Sequence, residues 1–194
     1  MSHRAVFLDR DGTINVETGY PRDFSQITIY PASFTAIRAA RAAGFKVVVV
    51  TNQSGIGRGY LDEATLERLH ARLAEALAAG GAPVDAIYYC PHHEQAGLGA
   101  YKTACDCRKP APGMARRAAR ELDLDLAGSF MIGDKVEDVR FGLAAGVTPI
   151  LVRTGYGRDS ESRLAGLGVV PAHIADGIGE AVAWVLARER AAGR

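Results

Sequence analysis

Two aspartates early in the sequence, Asp9 and Asp11, are placed where carboxylates can do chemistry. They follow the apolar run of residues 6–8 and precede Gly12, where a turn is expected. The run predicts a buried strand whose end places both carboxylates in that turn. An acidic pair of this kind could also serve only local hydrogen bonds, because aspartate is favoured in turns for that reason. The pair therefore needs support from the rest of the chain.

Further polar side chains follow two later apolar runs. Thr51 and Asn52 come after residues 46–50, and Asp134 comes after residues 129–132. Because ligands bind at the carboxyl edge shared by parallel strands, these residues are expected to converge with the aspartate pair. Taken alone, Asp134 could equally be the N-cap of a helix. Together, the carboxylates suit Mg²⁺, which proteins usually hold with one or two carboxylates, water and substrate phosphate.

This combination of residues suits the transfer of a phosphoryl group to an aspartate. A cation held by Asp9, Asp11 and Asp134 would offset the repulsion between an anionic phosphate and an attacking carboxylate. The ammonium of Lys109 and the hydroxyl of Thr51 would donate hydrogen bonds to the phosphoryl oxygens. The predicted site therefore serves phosphoryl chemistry on a small polar ligand.

The three cysteines of the chain lie close together, between residues 90 and 107. With a histidine they form the pattern Cys90-x-His92 followed by Cys105-x-Cys107, which offers four ligands of the kind that hold structural Zn²⁺. An odd number of cysteines in one region also favours metal binding over disulfides. The one-residue spacers are tighter than those of common zinc fingers, buried free thiols are the alternative, and the neighbouring His93 leaves the choice of histidine open.

Alternating strand and helix signals position these residues. Residues 14–30 have no regular period and are expected to form a loop beside the carboxylates. The first helix begins at Pro31 and ends before Gly44, in line with the preference for proline at helix starts and glycine past helix ends. Further helices are predicted at 62–79, from 112 to about 122, at 136–145 and around 178–186, and strands at 6–8, 46–50, 86–89, 129–132 and 149–152. This order predicts a Rossmann-like α/β fold, a parallel sheet with helices on both faces.

Two of these helices show a clear apolar face that is expected to pack into the core. In the helix at 136–145, the inward residues are predicted to be Val136, Val139 and Leu143. The helix at 62–79 carries the stripe Leu66, Leu69, Leu73 and Leu77.

The composition excludes several classes of partner. The formal net charge is +1, with 23 basic and 22 acidic residues well mixed, so the chain lacks the basic surface expected of a nucleic-acid or anionic-membrane binder. No apolar run approaches the ~20 residues of a membrane span, and the first residues lack a secretory pattern. The sequence therefore predicts a cytoplasmic protein with a single domain, residues 1–194, and a small-molecule partner.

The complete pattern resembles the haloacid dehalogenase-like phosphatases. In that superfamily the site is marked by an Asp-x-Asp-x-Thr/Val pattern, a Thr or Ser after the second strand, a Lys before a helix and a Gly-Asp after a later strand. The corresponding residues here are Asp9-Arg10-Asp11-Gly12-Thr13, Thr51, Lys109 and Gly133-Asp134. The resemblance covers nearly the whole chain. It implies that Asp9 is the nucleophile and forms an aspartyl-phosphate.

The resemblance also implies that Asp11 protonates the leaving oxygen and then activates water. A carboxylic acid must be protonated for the first task, although the ordinary pKa of aspartate is about 3.9. The like charge of Asp9 is expected to raise the pKa of Asp11.

The intervals between the motifs leave no room for the cap domain that many members of the superfamily carry, so specificity would come from loops. The resemblance implies that zinc holds the loop at about 90–108, with His92 rather than His93 as the ligand, so that Arg108 and Lys109 point at the substrate. Arg108 would grip a second phosphate of the substrate, although it could instead be a solvated charge. The other residues assigned to substrate binding are Glu17, Tyr20, Asn52, Gln53, Ser54 and Lys135.

Within the superfamily, the motifs are most similar to the branch that acts on D-glycero-D-manno-heptose 1,7-bisphosphate. This similarity implies release of the C7 phosphate in carbohydrate metabolism, for lipopolysaccharide or another glycan, by a monomer. The supporting motifs include Gln53-Ser54-Gly55, the stretch from Tyr89 to His93, and Lys135. A histidinol-phosphate phosphatase, which has a similar layout, is the alternative enzyme. A zinc-stabilised binding protein without turnover is the alternative from a different class.

Overall fold

The structure, a computed structural model, describes residues 2–193. Its strands form one parallel sheet in the spatial order β3-β2-β1-β4-β5-β6. The strands are β1 (Ala5–Leu8), β2 (Lys46–Asn52), β3 (Ala86–Cys90), β4 (Phe130–Gly133), β5 (Thr148–Val152) and β6 (His173–Ala175). The first strand is therefore central, between β2 and β4, and its carboxyl end leads directly into Asp9.

At least one helix follows each strand, and several of the helices begin with local signals in the sequence. They are α1 (Pro31–Ala42), α2 (Ser54–Gly57), α3 (Glu63–Ala79), α4 (Gly113–Leu122), α5 (Val136–Ala145), α6 (Gly157–Leu164) and α7 (Ile178–Ala191). Pro31 occupies the first turn of α1. Asp62 caps α3, because its side chain accepts a hydrogen bond of 2.7 Å from the main-chain N of Thr65.

Both faces of the sheet are covered by helices. Because successive side chains of a strand point to opposite faces, Val6 and Leu8 pack with α1, α3 and α7, whereas Ala5 and Phe7 pack with α4 and α5. Strands buried on both faces are continuous apolar runs in the sequence. The predicted α/β fold with helices on both faces is thus confirmed.

Two departures from the predicted elements have physical causes. Leu143 was expected to face the core but is 52% exposed, whereas Phe141 is buried. At Gly142 the helix α5 approaches the sheet so closely that a Cβ would press against Pro149, and this orientation turns Leu143 outward. Helix α6 was not predicted, because it is mostly polar and Leu164 is its one large apolar residue.

Between the predicted motifs, the described residues hold a few helices, one strand and loops. The interval after β1 contains a loop with one short 3-10 helix and α1, and the interval after β2 contains α2, α3, β3 and the cysteine-bearing loop. In residues 2–193 no helix combines the length and the apolar character needed to cross a membrane.

Candidate active site

Lys109 and Asp9 form the centre of a site at the carboxyl edge of the sheet. The Nζ of Lys109 lies 2.9 Å from Asp9 Oδ1 and 2.6 Å from Asp138 Oδ1, and it donates to the main-chain O of Val50 at 2.8 Å. All three charged side chains are buried. Burial lowers the pKa of Lys109, but the charges of Asp138 and Asp9 outweigh that effect and raise it. Lys109 is therefore a fixed cation beside Asp9.

Asp134 joins Asp9 and Asp138 in a cluster of acidic side chains whose nearest oxygens all lie within 4.8 Å of one another. Burial raises the pKa of Asp134 to about 8, and the charges of Asp9 and Asp138 add to this effect. The Oδ1 of Asp134 is buried and has no hydrogen-bond partner in the described part of the chain. A divalent cation would relieve the repulsion and satisfy that oxygen, so these oxygen donors fit Mg²⁺.

Two glycines allow the backbone to pack against Asp134. Gly12 and Gly155 have positive φ angles of 81° and 56°, and a Cβ on either residue would overlap the Asp134 carboxylate. The main-chain N of Tyr156 donates to Asp134 Oδ2 at 2.8 Å, and Thr154 Oγ1 donates to the main-chain O of Gly12 at 2.6 Å. The loop after β5 is therefore bonded both to Asp134 and to the turn after β1.

The carboxylate of Asp11 accepts hydrogen bonds at both of its oxygens. Arg10 donates to Oδ1 from Nε at 3.0 Å and to Oδ2 from Nη2 at 2.8 Å. Asn15 donates to Oδ1 and Gln53 donates to Oδ2, each at 3.0 Å. Arg10 is itself fully buried, and its Nη1 lies 2.9 Å from Nε2 of the buried His70.

These contacts contradict the expected upward shift in the pKa of Asp11. Burial raises that pKa, but the charge of Arg10 and the hydrogen bonds from Arg10, Asn15 and Gln53 together lower it. Asp11 is therefore ionised in the resting site. The cluster that could hold a cation contains Asp138, which was not predicted, and does not include Asp11. Ligation of Mg²⁺ by Asp11 stays a prediction.

The residues at the end of β2 support the site from the other side. Asn52 forms two hydrogen bonds with the main chain of Lys109, donating from Nδ2 to the carbonyl O at 3.0 Å and accepting from the amide N at 2.9 Å. Gln53 donates to Thr51 Oγ1 at 2.8 Å. Asn52 thus positions Lys109, and Gln53 links Thr51 to Asp11.

A cavity of about 520 Å³ opens above these groups. The residues predicted for catalysis, phosphoryl stabilisation and substrate binding all line it, namely Asp9, Asp11, Glu17, Tyr20, Thr51, Asn52, Gln53, Ser54, Arg108, Lys109 and Lys135. Asp134 does not line the cavity. Tyr156 and Glu137 do so without having been predicted.

Lys135 is held against the cavity wall. Its Nζ lies 3.3 Å from Glu17 Oε2 and 5.0 Å from the ring centroid of Tyr156. Burial lowers the pKa of Lys135, but the negative charges of Asp9, Asp134 and Glu17 raise it overall. Lys135 is therefore a second permanent cation at the cavity, between an acidic and an aromatic side chain.

The structure brings the three cysteines and His92 together beside the cavity. The Sγ of Cys107 lies 3.1 Å from Cys90 Sγ and 3.3 Å from Cys105 Sγ, and the Nδ1 of His92 lies 3.4 Å from Cys107 Sγ. Hydrogen bonding from Cys90 is the main cause that lowers the pKa of Cys107, to about 5, so this thiol has the thiolate character that zinc binding requires. Three cysteine sulfurs and one imidazole nitrogen close to one another fit a tetrahedral Zn²⁺.

His93 lies outside this cluster. Its Nδ1 accepts from the main-chain N of Ala96 at 3.0 Å, and its Nε2 lies 3.1 Å from Arg58 Nη2. Arg108 donates from Nη1 to the main-chain O of His92 at 3.0 Å. The orientation of Arg108 at the cavity therefore depends directly on the backbone of the cysteine-bearing loop.

Known proteins share this sequence pattern. Residues 106–181 match a family model described as HAD-hydrolase-like. The chain is 47% identical over 152 residues to the D-glycero-beta-D-manno-heptose-1,7-bisphosphate 7-phosphatase of Escherichia coli strain K12, an alignment that covers 78% of this chain and 80% of that protein. Identity to the protein of the same name from Vibrio cholerae is 49% over 156 residues, covering 80% and 84%. The chain belongs to the haloacid dehalogenase-like phosphatases.

A solved structure in the same phosphatase family has the same fold. The D,D-heptose 1,7-bisphosphate phosphatase of B. bronchiseptica, complexed with magnesium and phosphate, matches 95% of this chain and 99% of its own chain, with a TM-score of 0.83 and 36% identity. The predicted fold, the family and the class of enzyme, a phosphoric monoester hydrolase, are confirmed. The magnesium in that complex supports the prediction of a Mg²⁺ cofactor.

Two parts of this phosphatase site were missed in the sequence. Asp138 lies in the first turn of α5, four residues after Asp134, so the short spacing of the two acidic residues was an available signal. The loop from Arg153 to Gly157 is rich in glycine and follows a strand directly, which is the signal that marked the turn at Gly12. It contains no acidic residue, so it lacked the carboxylates that marked the turn at Gly12 as a candidate site.

Proposed function

We propose that this chain is a Mg²⁺-dependent phosphatase that removes the C7 phosphate of D-glycero-D-manno-heptose 1,7-bisphosphate. One observation carries the chemistry: Asp9 faces the cavity with the Lys109 ammonium 2.9 Å from its carboxylate. The two heptose-bisphosphate phosphatases that are 47% and 49% identical to the chain support the choice of substrate.

In the first step Asp9 attacks the phosphorus atom, forms an acyl-phosphate bond and displaces the sugar oxygen. The buried ammonium of Lys109, which is bonded to Asp9, Asp138 and the main-chain O of Val50, offsets the charge of the phosphoryl oxygens, and the Thr51 hydroxyl donates a hydrogen bond to them. Asp9, Asp134 and Asp138 would hold the Mg²⁺. Bound there, the ion supplies positive charge that reduces repulsion between the nucleophile and the phosphate.

Asp11 acts on protons in both halves of the reaction. Phosphate binding brings negative charge close to Asp11 and favours its protonation, after which it gives the proton to the departing sugar oxygen. The ionised Asp11 then takes a proton from water, whose oxygen attacks the acyl-phosphate, releases inorganic phosphate and restores Asp9. Arg10 keeps the carboxylate in one orientation through both transfers.

Substrate selection follows from the cavity wall. Arg108 binds the second phosphate, and its hydrogen bond to the backbone of His92 makes this grip dependent on the zinc loop. Structural Zn²⁺ would be held by Cys90, His92, Cys105 and Cys107. The sugar portion would contact Glu17, Tyr20, Asn52, Gln53, Ser54 and Lys135.

We further propose that residues 1–194 act as one catalytic domain, a monomer working in the cytoplasm. The near-neutral net charge of +1 supports a small-molecule partner rather than nucleic acid or an anionic membrane.

The experiment is phosphate release with Mg²⁺ from the α and β anomers of the heptose bisphosphate, with histidinol phosphate measured in parallel. We expect one heptose anomer to be preferred by about tenfold or more in kcat/KM, which is ~1.4 kcal/mol of transition-state discrimination. The Asp9→Asn variant is expected to lose at least about a thousandfold in turnover. Equal or better turnover of histidinol phosphate would overturn the choice of substrate, and full activity of Asp9→Asn would overturn the mechanism.

A further inference from the structure

We infer that Tyr156 is a specificity-determining residue whose ring contacts the carbon skeleton of the substrate next to the scissile phosphate. The inference rests on the proposed function, since it concerns the same cavity. None of the motifs that mark the site in the sequence contains this residue or its loop, the segment from Arg153 to Gly157.

The main chain of Tyr156 is fixed to the reacting part of the site. Its N donates to Asp134 Oδ2 at 2.8 Å, and the neighbouring Thr154 donates from Oγ1 to the main-chain O of Gly12 at 2.6 Å. The loop is also closed on itself, because the N of Gly157 donates to the O of Thr154 at 2.9 Å. The side chain of Tyr156 therefore starts from a backbone that is bonded to Asp134, and it lines the same cavity as Asp9 and Lys109. This position places the ring beside the phosphate that Asp9 would attack.

The ring itself faces the cavity and is only half covered. Tyr156 lines the cavity wall, and 52% of the residue is exposed. The Lys135 ammonium lies over the ring, 5.0 Å from its centroid, and is also 3.3 Å from Glu17 Oε2. A cation–π contact with Lys135 therefore restricts the ring at the cavity wall while leaving part of its apolar surface in water.

The chemistry of a phosphorylated sugar matches this arrangement. Its phosphate is bound by charged groups around Asp9 and Lys109, and its hydroxyls can pair with Glu17 and Lys135, but its C–H surfaces need an apolar partner. Binding sites commonly combine aromatic walls with a few polar groups that fix orientation. The exposed ring of Tyr156 supplies such a wall close to the scissile bond. It would contact the sugar carbons, which a small phosphate compound such as acetyl phosphate lacks.

The test compares Tyr156→Ala and Tyr156→Phe with the unmodified enzyme on two substrates, the preferred heptose bisphosphate and acetyl phosphate, which has no sugar. We expect Tyr156→Ala to lower kcat/KM for the sugar bisphosphate about tenfold, mainly through KM, while acetyl phosphate turnover stays within about twofold. Tyr156→Phe keeps the ring and is expected to keep the ratio of the two activities. Leu143→Ala is a matched control, since Leu143 is also 52% exposed but lies away from the cavity.

Two results would overturn the inference. An unchanged kcat/KM for the sugar bisphosphate in Tyr156→Ala would show that the ring does not contact it. An equal loss on both substrates would show that the loop only supports Asp134. Failure of the proposed function is separate, because the unmodified enzyme would then fail to prefer the heptose bisphosphate. In that case the ratio of kcat/KM for the sugar substrate to kcat/KM for acetyl phosphate is measured with the sugar phosphate that the unmodified enzyme hydrolyses best.

Discussion

The Nη1 of Arg10 lies 2.9 Å from the Nε2 of His70, behind the carboxylate of Asp11. Burial lowers the pKa of His70 to about 3, and the charge of Arg10 contributes, so the imidazole is neutral and its Nε2 can accept a hydrogen bond from Arg10. Helix α3 thereby fixes the guanidinium that holds Asp11.

Replacing His70 by alanine is expected to lower kcat about tenfold and to leave KM nearly unchanged, because a shifted Arg10 misorients Asp11 after binding. The buried Nη1 would lose its partner, at a cost of about 1–3 kcal/mol in the free energy of unfolding. Steady-state kinetics and thermal denaturation measure the two effects. His70→Gln restores an acceptor and should recover part of kcat; no recovery would contradict the positioning role.

The ligands of the proposed zinc site can be tested by comparing Cys107, which belongs to the cluster, with His93, which lies outside it. Cys107→Ala is expected to lose bound zinc, and it should raise KM for the bisphosphate by about tenfold, because Arg108 loses the backbone that orients it. His93→Ala should keep its zinc, since the structure places His93 against Ala96 and Arg58. The measurement is the zinc content of each variant, by elemental analysis of protein purified without chelator. A full zinc content in Cys107→Ala, or a loss of zinc in His93→Ala, would contradict this assignment of the ligands.

A pair of glycine substitutions separates backbone strain from contact with the site. Gly12 and Gly44 have positive φ angles of 81° and 85°, but only at Gly12 would a Cβ overlap Asp134, because nothing lies within 4 Å of a Cβ at Gly44. Gly44→Ala is expected to cost about 1–2 kcal/mol in stability and to keep its turnover.

Gly12→Ala should show the same strain and, in addition, a loss of turnover on the order of a hundredfold, because Asp134 is displaced. Urea denaturation and phosphate release measure both properties in each variant. Equal activity of the two variants would contradict a close approach of Gly12 to Asp134.

The carboxylate cluster predicts a pH dependence of stability in magnesium-free protein. Burial, with the charges of Asp9 and Asp138, raises the pKa of Asp134 to about 8 in the folded state, whereas the unfolded value is about 3.9. Between these values the folded protein binds more protons than the unfolded protein, so stability decreases as the pH rises from about 4 to 8.

Thermal denaturation at pH 6 and pH 8, after desalting without chelator so that zinc is kept, measures this decrease. Saturating Mg²⁺ should reduce it, because the cation stabilises the ionised cluster. Asp134→Asn cannot ionise at this position and should show a smaller decrease than the unmodified protein. A decrease as large in Asp134→Asn would rule out Asp134 as its source.

The sequence predicted the architecture well because the strands are buried on both faces and are therefore continuous apolar runs. The convergence of Asp9, Thr51 and Asp134 followed from parallel topology alone, before any contact was known. Helix α6 was not predicted because its sequence is mostly polar and shows little apolar periodicity. The orientation of Leu143 was predicted wrongly because periodicity does not reveal how closely Gly142 approaches the sheet.

The electrostatics of the site could not be predicted from residue types. Two neighbouring aspartates suggested a raised pKa for Asp11, but the rotamer of Arg10 and the amides of Asn15 and Gln53 reverse the direction. These contacts depend on side-chain geometry, which spacing does not determine. Tyr156 was missed for a related reason, since its link to the site runs through a main-chain N–H that every residue except proline possesses.

Arg108 and Lys109 are neighbours in the chain but have separate supports. Arg108 bonds to the backbone of the cysteine-bearing loop, whereas Lys109 is held by the sheet, through Asn52 and Val50. During evolution, the segment of residues 93–104, which lies between the proposed zinc ligands His92 and Cys105, could therefore change in length or sequence and alter which phosphate ester is accepted, without moving the cation beside Asp9. The peptide bond between Arg108 and Lys109 therefore separates a substrate-binding loop that can diversify from a catalytic region that must be retained.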